Sequence, residues 1–362
     1  MLWIPILIFL LAIFCVSRNL WTILPLGIPA RLAAICLCIV LLLLMIATFV
    51  WGEQLPFALT RWMYRIGTAW FFIFLYLLMA FLLIDLIGLI LPKFKPFFIH
   101  QWSSTVILLA LLAVIFIGGN VVYHHQVRVP LNIKIRKTLK RPLKIVAVSD
   151  LHLGYTIGPD EAASWVEKIN TEKPDIILIA GDIVDYSIRP LLHDHTANVL
   201  AKLHAPLGVY ACMGNHDYMA HIDRIIPFIH QTGIRLLRDE VVRPDSSFYL
   251  VGRDDRSNPH RKSLKEILKN SDTTQPIILL DHQPYHLEEA EHNGVDFQFS
   301  GHTHRGQVFP INLITDALYE KSHGFLKKGP TNIYVSSGIG IWGGKFRIGS
   351  RSEYVVINLQ GE

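Results

Sequence analysis

The sequence predicts an all-α, multi-pass transmembrane region followed by a layered α/β domain, and three observations carry that expectation. Charge is partitioned: through Val122 the only charged residues are Arg18, Arg31, Glu53, Arg61, Arg65, Asp85, Lys93 and Lys95, and all others lie beyond. Long apolar runs fill the same stretch. From Leu143 onward, short Val- and Ile-rich runs alternate with amphipathic segments, as strands and helices do in stacked layers. The 362 residues suggest two domains, and 51% hydrophobic against 17% charged is too apolar for a wholly soluble chain.

Four spans are expected in the membrane region (1–122), at about 2–16, 32–51, 67–91 and 104–122. The last three approach or exceed the ~20 apolar residues that cross a bilayer as helix. The first is short, but it lacks a basic amino-terminal region and a small-x-small cleavage site, and so reads as an uncleaved helix rather than a signal peptide. Trp3, Trp21, Trp51, Trp62, Trp70 and Trp102 fall near span ends, where an aromatic belt would sit. Asp85 lies inside the third span with no evident cationic partner, so it reads as a functional carboxylate, a polar contact between helices, or a group at headgroup depth.

Each loop between spans carries two basic residues and does not discriminate orientation. After the last span come Arg128, Lys134, Arg136, Lys137, Lys140 and Arg141, a basic connector over 123–142. That excess favours a cytoplasmic carboxyl-terminal half in a plasma (inner) membrane. The same residues could lie beside anionic lipid or on the solvated face of a strand. Six of the 34 basic and two of the 29 acidic residues fall in the first 122. The remaining 28 and 27 nearly cancel, which argues against a nucleic-acid surface. Cys15, Cys36, Cys38 and Cys212 imply neither a disulfide framework nor a thiolate metal site.

Within 143–362, strands are expected at 143–149, 175–180, 209–213, 248–251, 276–280, 297–300, 333–336 and 354–359. Helices are expected at about 159–170, 196–203 and 221–231. Pro159 suits a helix start, and Trp165, Val166 and Ile169 give the first of these an apolar face.

Polar pairs recur where the apolar runs end: Asp150-x-His152, Gly181-Asp182-x-x-Asp185, Gly214-Asn215-His216-Asp217, Asp281-His282, and Gly301-His302-x-His304. Glycine permits the tight turn and close backbone approach that a crowded site needs. Each block alone has a plain explanation, a turn, a helix cap or a surface histidine. Five at successive strand ends converge on one sheet edge, where carboxylate and imidazole can gather around a metal. His124, His125, His193, His195 and His221 keep the plain explanation.

These blocks resemble the signature of the calcineurin-like metallophosphoesterases, and the tail Tyr334-Val-Ser-Ser-Gly338-Ile-Gly340, Trp342 and Phe346-Arg347-Ile-Gly349 is similar to the membrane-associated branch of that family. The resemblance covers about 143–362 and implies a four-layer αββα sandwich with two divalent metal ions at the sheet edge. Carried over by motif, it implies that Asp150, His152 and His304 hold one ion, that Asn215, His282 and His302 hold the other, and that Asp182 bridges them. Two ions ~3.5–4 Å apart can clamp the attacking and leaving oxygens of a phosphoryl group. His216 would then bond the phosphate and help protonate the leaving oxygen, with Asp217 orienting it and Asp185 supporting a ligand. The donor mixture suits Mn²⁺, Fe or Zn²⁺ rather than an all-oxygen Ca²⁺ site, with Mn²⁺ favoured. Many relatives have Gly where this chain has Arg305, which could reach a phosphate or pair with a surface acid.

The expected function is therefore a membrane-anchored dinuclear-metal hydrolase of a phosphoester or pyrophosphate bond. Tethering beside a bilayer points to a lipid-linked substrate; resemblance to lipid A pathway enzymes makes UDP-2,3-diacylglucosamine a candidate, and an undecaprenyl-type lipid another. The alternatives are a membrane sensor or scaffold with a regulatory phosphoesterase domain, and a hydrolase of soluble nucleotides. The sequence leaves oligomeric state open.

Overall fold

The computed structural model describes residues 3–362. They form two compact units: a helical one that extends to Asn120 and includes Gly343–Lys345, and a second made of Val121–Trp342 and Phe346–Glu362.

The first unit is built from helices α1 (Trp3–Ile23), α2 (Ile28–Trp51), α3 (Phe57–Ile90) and α4 (Trp102–His124). All four are long and apolar enough to cross a bilayer. α1 is not short: it continues through Ser17-Arg18-Asn19 to Ile23, and the polar groups of Arg18 and Asn19 find partners. Asn19 Nδ2 donates to Cys15 O and to Asp85 Oδ2, both at 3.1 Å, and Arg18 pairs with Asp85. Asp85 thus has a cationic partner, 67 residues away in the chain. Trp70 does not fall near an end of its helix. It lies well inside α3 and donates to Cys38 O of α2 at 2.9 Å. Gly67 lets α2 and α3 approach closely, since a Cβ there would fall 2.8 Å from Met45 Cα.

The second unit opens with β1 (Val127–Ile135), β2 (Leu143–Ser149), α5 (Pro159–Thr171) and β3 (Ile176–Ala180). Then come α6 (Arg189–His193), α7 (Ala197–Leu200), β4 (Val209–Cys212), α8 (Asn215–Met219) and α9 (Ile222–Gln231). Next are β5 (Arg235–Leu236), β6 (Glu240–Val242), β7 (Tyr249–Gly252), α10 (Leu264–Ile267), β8 (Ile277–Leu280), α11 (Glu288–His292) and β9 (Phe297–Ser300). The chain closes with α12 (Ile311–Leu318), β10 (Gly324–Lys328), β11 (Thr331–Val335) and β12 (Glu353–Gly361).

The strands make two six-stranded sheets, in the orders β1-β12-β2-β3-β4-β5 and β10-β11-β9-β8-β7-β6. Alternation along each strand sorts side chains into layers. Ile145 and Ala147 of β2 join Leu178, Leu280, Phe297 and Phe299 between the sheets. Val146 and Val148 face the other way, onto Trp165 and Ile169 of α5 and Phe228 and Ile229 of α9. Behind the second sheet, Val251, Ile277 and Leu279 pack with Leu264 and Ala290. The result is the four-layer αββα sandwich. α5 begins with Pro159 at its first turn beside Asp160 and Glu161, which favour the helix amino terminus, and buries Ala162, Trp165, Val166 and Ile169 on one face.

The stretch read as a basic connector contains β1, an edge strand in parallel register with β12 from Val127↔Glu353 to Ile135↔Gly361. Arg128 and Lys134 lie on its exposed face while Ile133 and Ile135 are buried. Part of the basic run is thus a strand face, and Pro130 is tolerated there because the strand is at an edge.

Candidate metal centre

Parallel strands aim their carboxyl ends at one edge, and the turns that leave them carry the polar blocks. β2 runs into Asp150 and His152, β3 into Asp182, β4 into Asn215 and His216, β8 into His282, and β9 into His302 and His304. Asp150, His152, Asp182, His302 and His304 all adopt positive φ, between 45° and 72°. That many non-glycine residues in the left-handed region is the signature of backbone bent to aim side chains. Gly181 (φ 71°) has a second reason to be glycine: a Cβ would lie 2.6 Å from His282 Nδ1.

All seven expected ligands come together. One group joins Asp150, His152 and His304, a second joins Asp182, His282 and His302, and a third, between them, joins His152, Asp182 and His216. His152 Nε2 faces His304 Nε2 at 2.9 Å, and His304 Nε2 lies 3.5 Å from Asp150 Oδ1. Asp182 Oδ2 stands between the groups, 3.6 Å from His152 Nε2 and 3.1 Å from His282 Nε2. Asn215 Oδ1 meets His302 Nδ1 at 2.7 Å. Two buried imidazole nitrogens that face each other at 2.9 Å, beside a carboxylate, would suit the holding of one cation by both rings. The donor set fits two divalent cations bridged by a carboxylate.

The surroundings support the ligands. His282 Nδ1 donates to Ala180 O at 2.8 Å, which turns Nε2 toward Asp182. Asp185 Oδ1 lies 3.2 Å from His152 Nδ1 and does the same for that ring. Backbone N–H groups steady the carboxylates: His216 N donates to Asp182 Oδ1 at 2.8 Å and His302 N to Asp150 Oδ1 at 2.9 Å.

Asp150, Asp182, Asp185 and Asp217 are each at most 1% exposed, and so much buried negative charge demands cations. Burial pushes the Asp150 carboxyl up, with Asp182 adding to it and His282 and His152 opposing. Burial also pushes Asp217 up to about 7, and the charge of Asp182 adds to that. Asp182 itself is held well below the carboxylate range, because His282, His216 and His152 overcome its burial. Asp185 falls to about 2 despite burial, through its bonds to His152 and His216. His304 is pulled well below the usual imidazole value by burial and then by His152, and its Nδ1 is buried without a hydrogen-bond partner among the described residues.

Asp217 does not orient His216. Its oxygens accept from Val184 N and Gly214 N, both at 2.9 Å, and hold the loop instead. The orienting place belongs to Asp185, whose backbone O and Oδ1 lie 3.2 and 3.4 Å from His216 Nδ1. Adjacent residues on a helical turn point apart, so sequence neighbourhood misleads there. Arg305 does not pair with a surface acid; its guanidinium meets no acceptor among the described residues.

One supporting residue carried no role in the sequence. Arg347 is 1% exposed; its Nη1 donates to His304 O at 2.9 Å, and its Nη2 to Ser337 O and Gly340 O, both at 2.6 Å. An arginine inside an apolar, glycine-rich tail was the available signal. His124, His125, His193, His195 and His221 join no candidate metal group among the described residues.

Residues 143–306 match the family model of calcineurin-like phosphoesterases. The chain is 35% identical over 228 residues to an uncharacterized metallophosphoesterase of Aquifex aeolicus, over 61% of this chain and 86% of that protein. It is 34% identical over 227 residues to an uncharacterized metallophosphoesterase of Helicobacter pylori, over 61% of this chain and 60% of that one. A "transmembrane protein with metallophosphoesterase domain" of Danio rerio is 33% identical over 234 residues, over 60% of this chain and 53% of that one. The chain thus spans little more than half the length of these last two. It belongs to the calcineurin-like phosphoesterase family, in the class of metal-dependent phosphoric ester hydrolases.

Proposed function

We propose that the chain is a bilayer-anchored, dinuclear phosphoesterase that cleaves a phosphoester or pyrophosphate bond of a lipid-linked substrate. In this reading 1–122 is the membrane anchor, and 143–362, together with the edge strand β1 contributed by 123–142, is the catalytic domain. The observation that carries it is the pair of donor groups with Asp182 Oδ2 standing between them, 3.6 Å from His152 Nε2 and 3.1 Å from His282 Nε2.

Asp150, His152 and His304 would hold one cation, Asn215, His282 and His302 the other, with Asp182 common to both and Mn²⁺ the favoured metal. When bound, the ions supply positive charge against the phosphoryl oxygens and activate the attacking water. His216, held at Nδ1 by Asp185, presents its other nitrogen to the substrate. From there it bonds a phosphoryl oxygen and hands a proton to the leaving oxygen. Asp185 fixes His152 and His216 together, so one carboxylate sets both a ligand and a proton donor.

The lipid part of the reading rests on the rim. α12 packs against the His304 turn, where Asn312 meets Gly306, and ends at Tyr319, whose ring lies 6.1 Å from that of His302. Its Leu313, Ile314 and Leu318 are 57%, 55% and 68% exposed. An apolar helix beside a polar centre suits a substrate with acyl or prenyl chains. The favoured placement is the inner membrane with the catalytic domain cytoplasmic.

The test is turnover of UDP-2,3-diacylglucosamine and undecaprenyl pyrophosphate by purified full-length protein in detergent with Mn²⁺, with Asp182→Ala as the blank. Hydrolysis of either lipid, absent in the blank, supports the reading. Cleavage of soluble esters and nucleotides alone overturns its lipid part.

A further inference from the structure

The strand ends that carry the metal ligands continue past them. In the second sheet β9, β8 and β7 are neighbours. The first two lead into His302 and His282, and the third leads into Arg253, whose N–H donates to Leu280 O at 2.9 Å. The loop that follows brings Arg256 and Arg261 back beside it. Together with Tyr285, His286 and Glu289, the three arginines line a cleft of about 260 Å³.

Their hydrogen bonding is unequal. Arg253 is engaged, with Nη1 2.6 Å from Glu289 Oε2 and 3.3 Å from Asp281 Oδ2. Arg261 gives Nη2 to Asp281 Oδ2 at 2.5 Å, while its Nε and Nη1 are buried with no acceptor among the described residues. Arg256 is exposed, lies over the Tyr285 ring at 4.3 Å, and meets no carboxylate among the described residues. Three guanidinium groups thus face two carboxylates, and buried donors without acceptors disfavour the cleft unless an anion fills it.

The loop is fixed in advance. Gln283 Nε2 donates to Asp255 Oδ1 and Oδ2 at 3.0 and 2.8 Å, Arg238 Nη2 lies 2.9 Å from Asp254 Oδ2, and Asn258 Nδ2 donates to the same oxygen at 3.0 Å. The cleft is also linked to the metal centre through its lining residue Tyr285. Tyr285 Oη meets Tyr319 Oη at 2.9 Å, and Tyr319 is the residue beside His302.

We propose that this cleft is a second anion subsite, which takes a further phosphate of the same substrate whose scissile bond lies at the metal centre. The inference rests on the phosphoesterase reading and narrows it to substrates in which a sugar or alkyl bridge separates two phosphate groups; a pyrophosphate alone, whose two phosphorus atoms share one oxygen, does not reach both subsites. Strands lie about 4.8 Å apart, so one to two strand spacings set the separation of the phosphates at roughly 5–10 Å. Guanidinium suits this task because its planar fork binds phosphate oxygens in pairs. The tyrosine pair between the subsites offers a surface for the sugar or alkyl bridge.

The experiment is calorimetry on Mn²⁺-loaded full-length protein in detergent. The probes are propane-1,3-diol to hexane-1,6-diol bisphosphates and the matching monophosphates. At least one bisphosphate should bind about 10–100-fold more tightly than its monophosphate, the gain expected of added charge-assisted hydrogen bonds. Arg256→Gln, an exposed change that spares the fold, and Arg261→Gln should each remove most of that preference. Equal affinity for the two series in the wild-type protein, or a preference that survives both substitutions, overturns the subsite. Ester hydrolysis without a bisphosphate preference leaves the metal reading standing alone. Bisphosphate binding that Arg256→Gln weakens, in a protein that hydrolyses no ester, leaves the cleft standing and removes the phosphoesterase reading.

Discussion

Glu353 gives the fold a measurable acid limit. It begins β12 in the first sheet, yet its carboxylate accepts from Tyr334 Oη of the second sheet at 3.1 Å and from Ser337 N at 3.1 Å. Arg351 Nε at 2.8 Å and His323 Nε2 at 3.2 Å complete the set. It thus staples the sheets just behind Gly338, which abuts Asp150. Burial alone would raise the carboxyl, but His323, Arg351 and Ser337 N bring it down to about 2. A group whose folded pKa lies below its unfolded value stabilises the fold fully above the unfolded pKa. That stability is lost as pH falls from about 4.5 through about 2. The difference corresponds to about 3 kcal/mol at pH 7. For a domain of this size the shift is roughly 6–12 °C in Tm. Glu353→Gln keeps the shape and removes the charge. Thermal unfolding followed by near-UV circular dichroism should show the variant melting lower by that amount at pH 7. The gap to wild type should narrow below pH 4.5. Equal melting at pH 7, or a gap that widens on acidification, would refute the reasoning.

Asp185→Asn should lower kcat about 10–100-fold on any ester, because both His152 and His216 lose their fixed orientation; steady-state kinetics against unchanged Mn²⁺ content would separate this from metal loss. Arg347→Met removes the side-chain donor to the carbonyls of His304, Ser337 and Gly340 and should weaken Mn²⁺ binding about 10-fold or more, read by metal titration, while Arg347→Lys recovers part of it. Leu313→Asp with Leu318→Asp should lower the ratio of lipid to soluble-ester turnover at least about 10-fold in vesicles; an unchanged ratio would take α12 out of substrate delivery.

The residues of the candidate metal centre were legible because each follows a short buried strand through a turn of fixed form, and parallel strands bring such turns to one edge whatever lies between them. Asp150 and His302 needed no more than that. Pairings made across the chain were not legible: Arg18 meets Asp85 only when two long helices pack, and Glu353 meets Tyr334 only when two sheets do. β5, with two residues, and β6, with three, are too short to show a period, and β1 was hidden by its basic exposed face. The role given to Asp217 failed for a local reason. Its neighbour His216 turns toward Asp185, three residues from Asp182, while Asp217 turns inward to the backbone of its own loop.

The most direct test of the two-cation centre is metal content. Wild-type full-length protein, purified without chelator and analysed by elemental mass spectrometry after Mn²⁺ loading and desalting, should carry about two divalent ions per chain. Asp182→Ala should carry one or none while keeping its near-UV circular dichroism. A wild-type chain that holds no transition metal, or an Asp182→Ala chain that still holds two, would contradict the assignment.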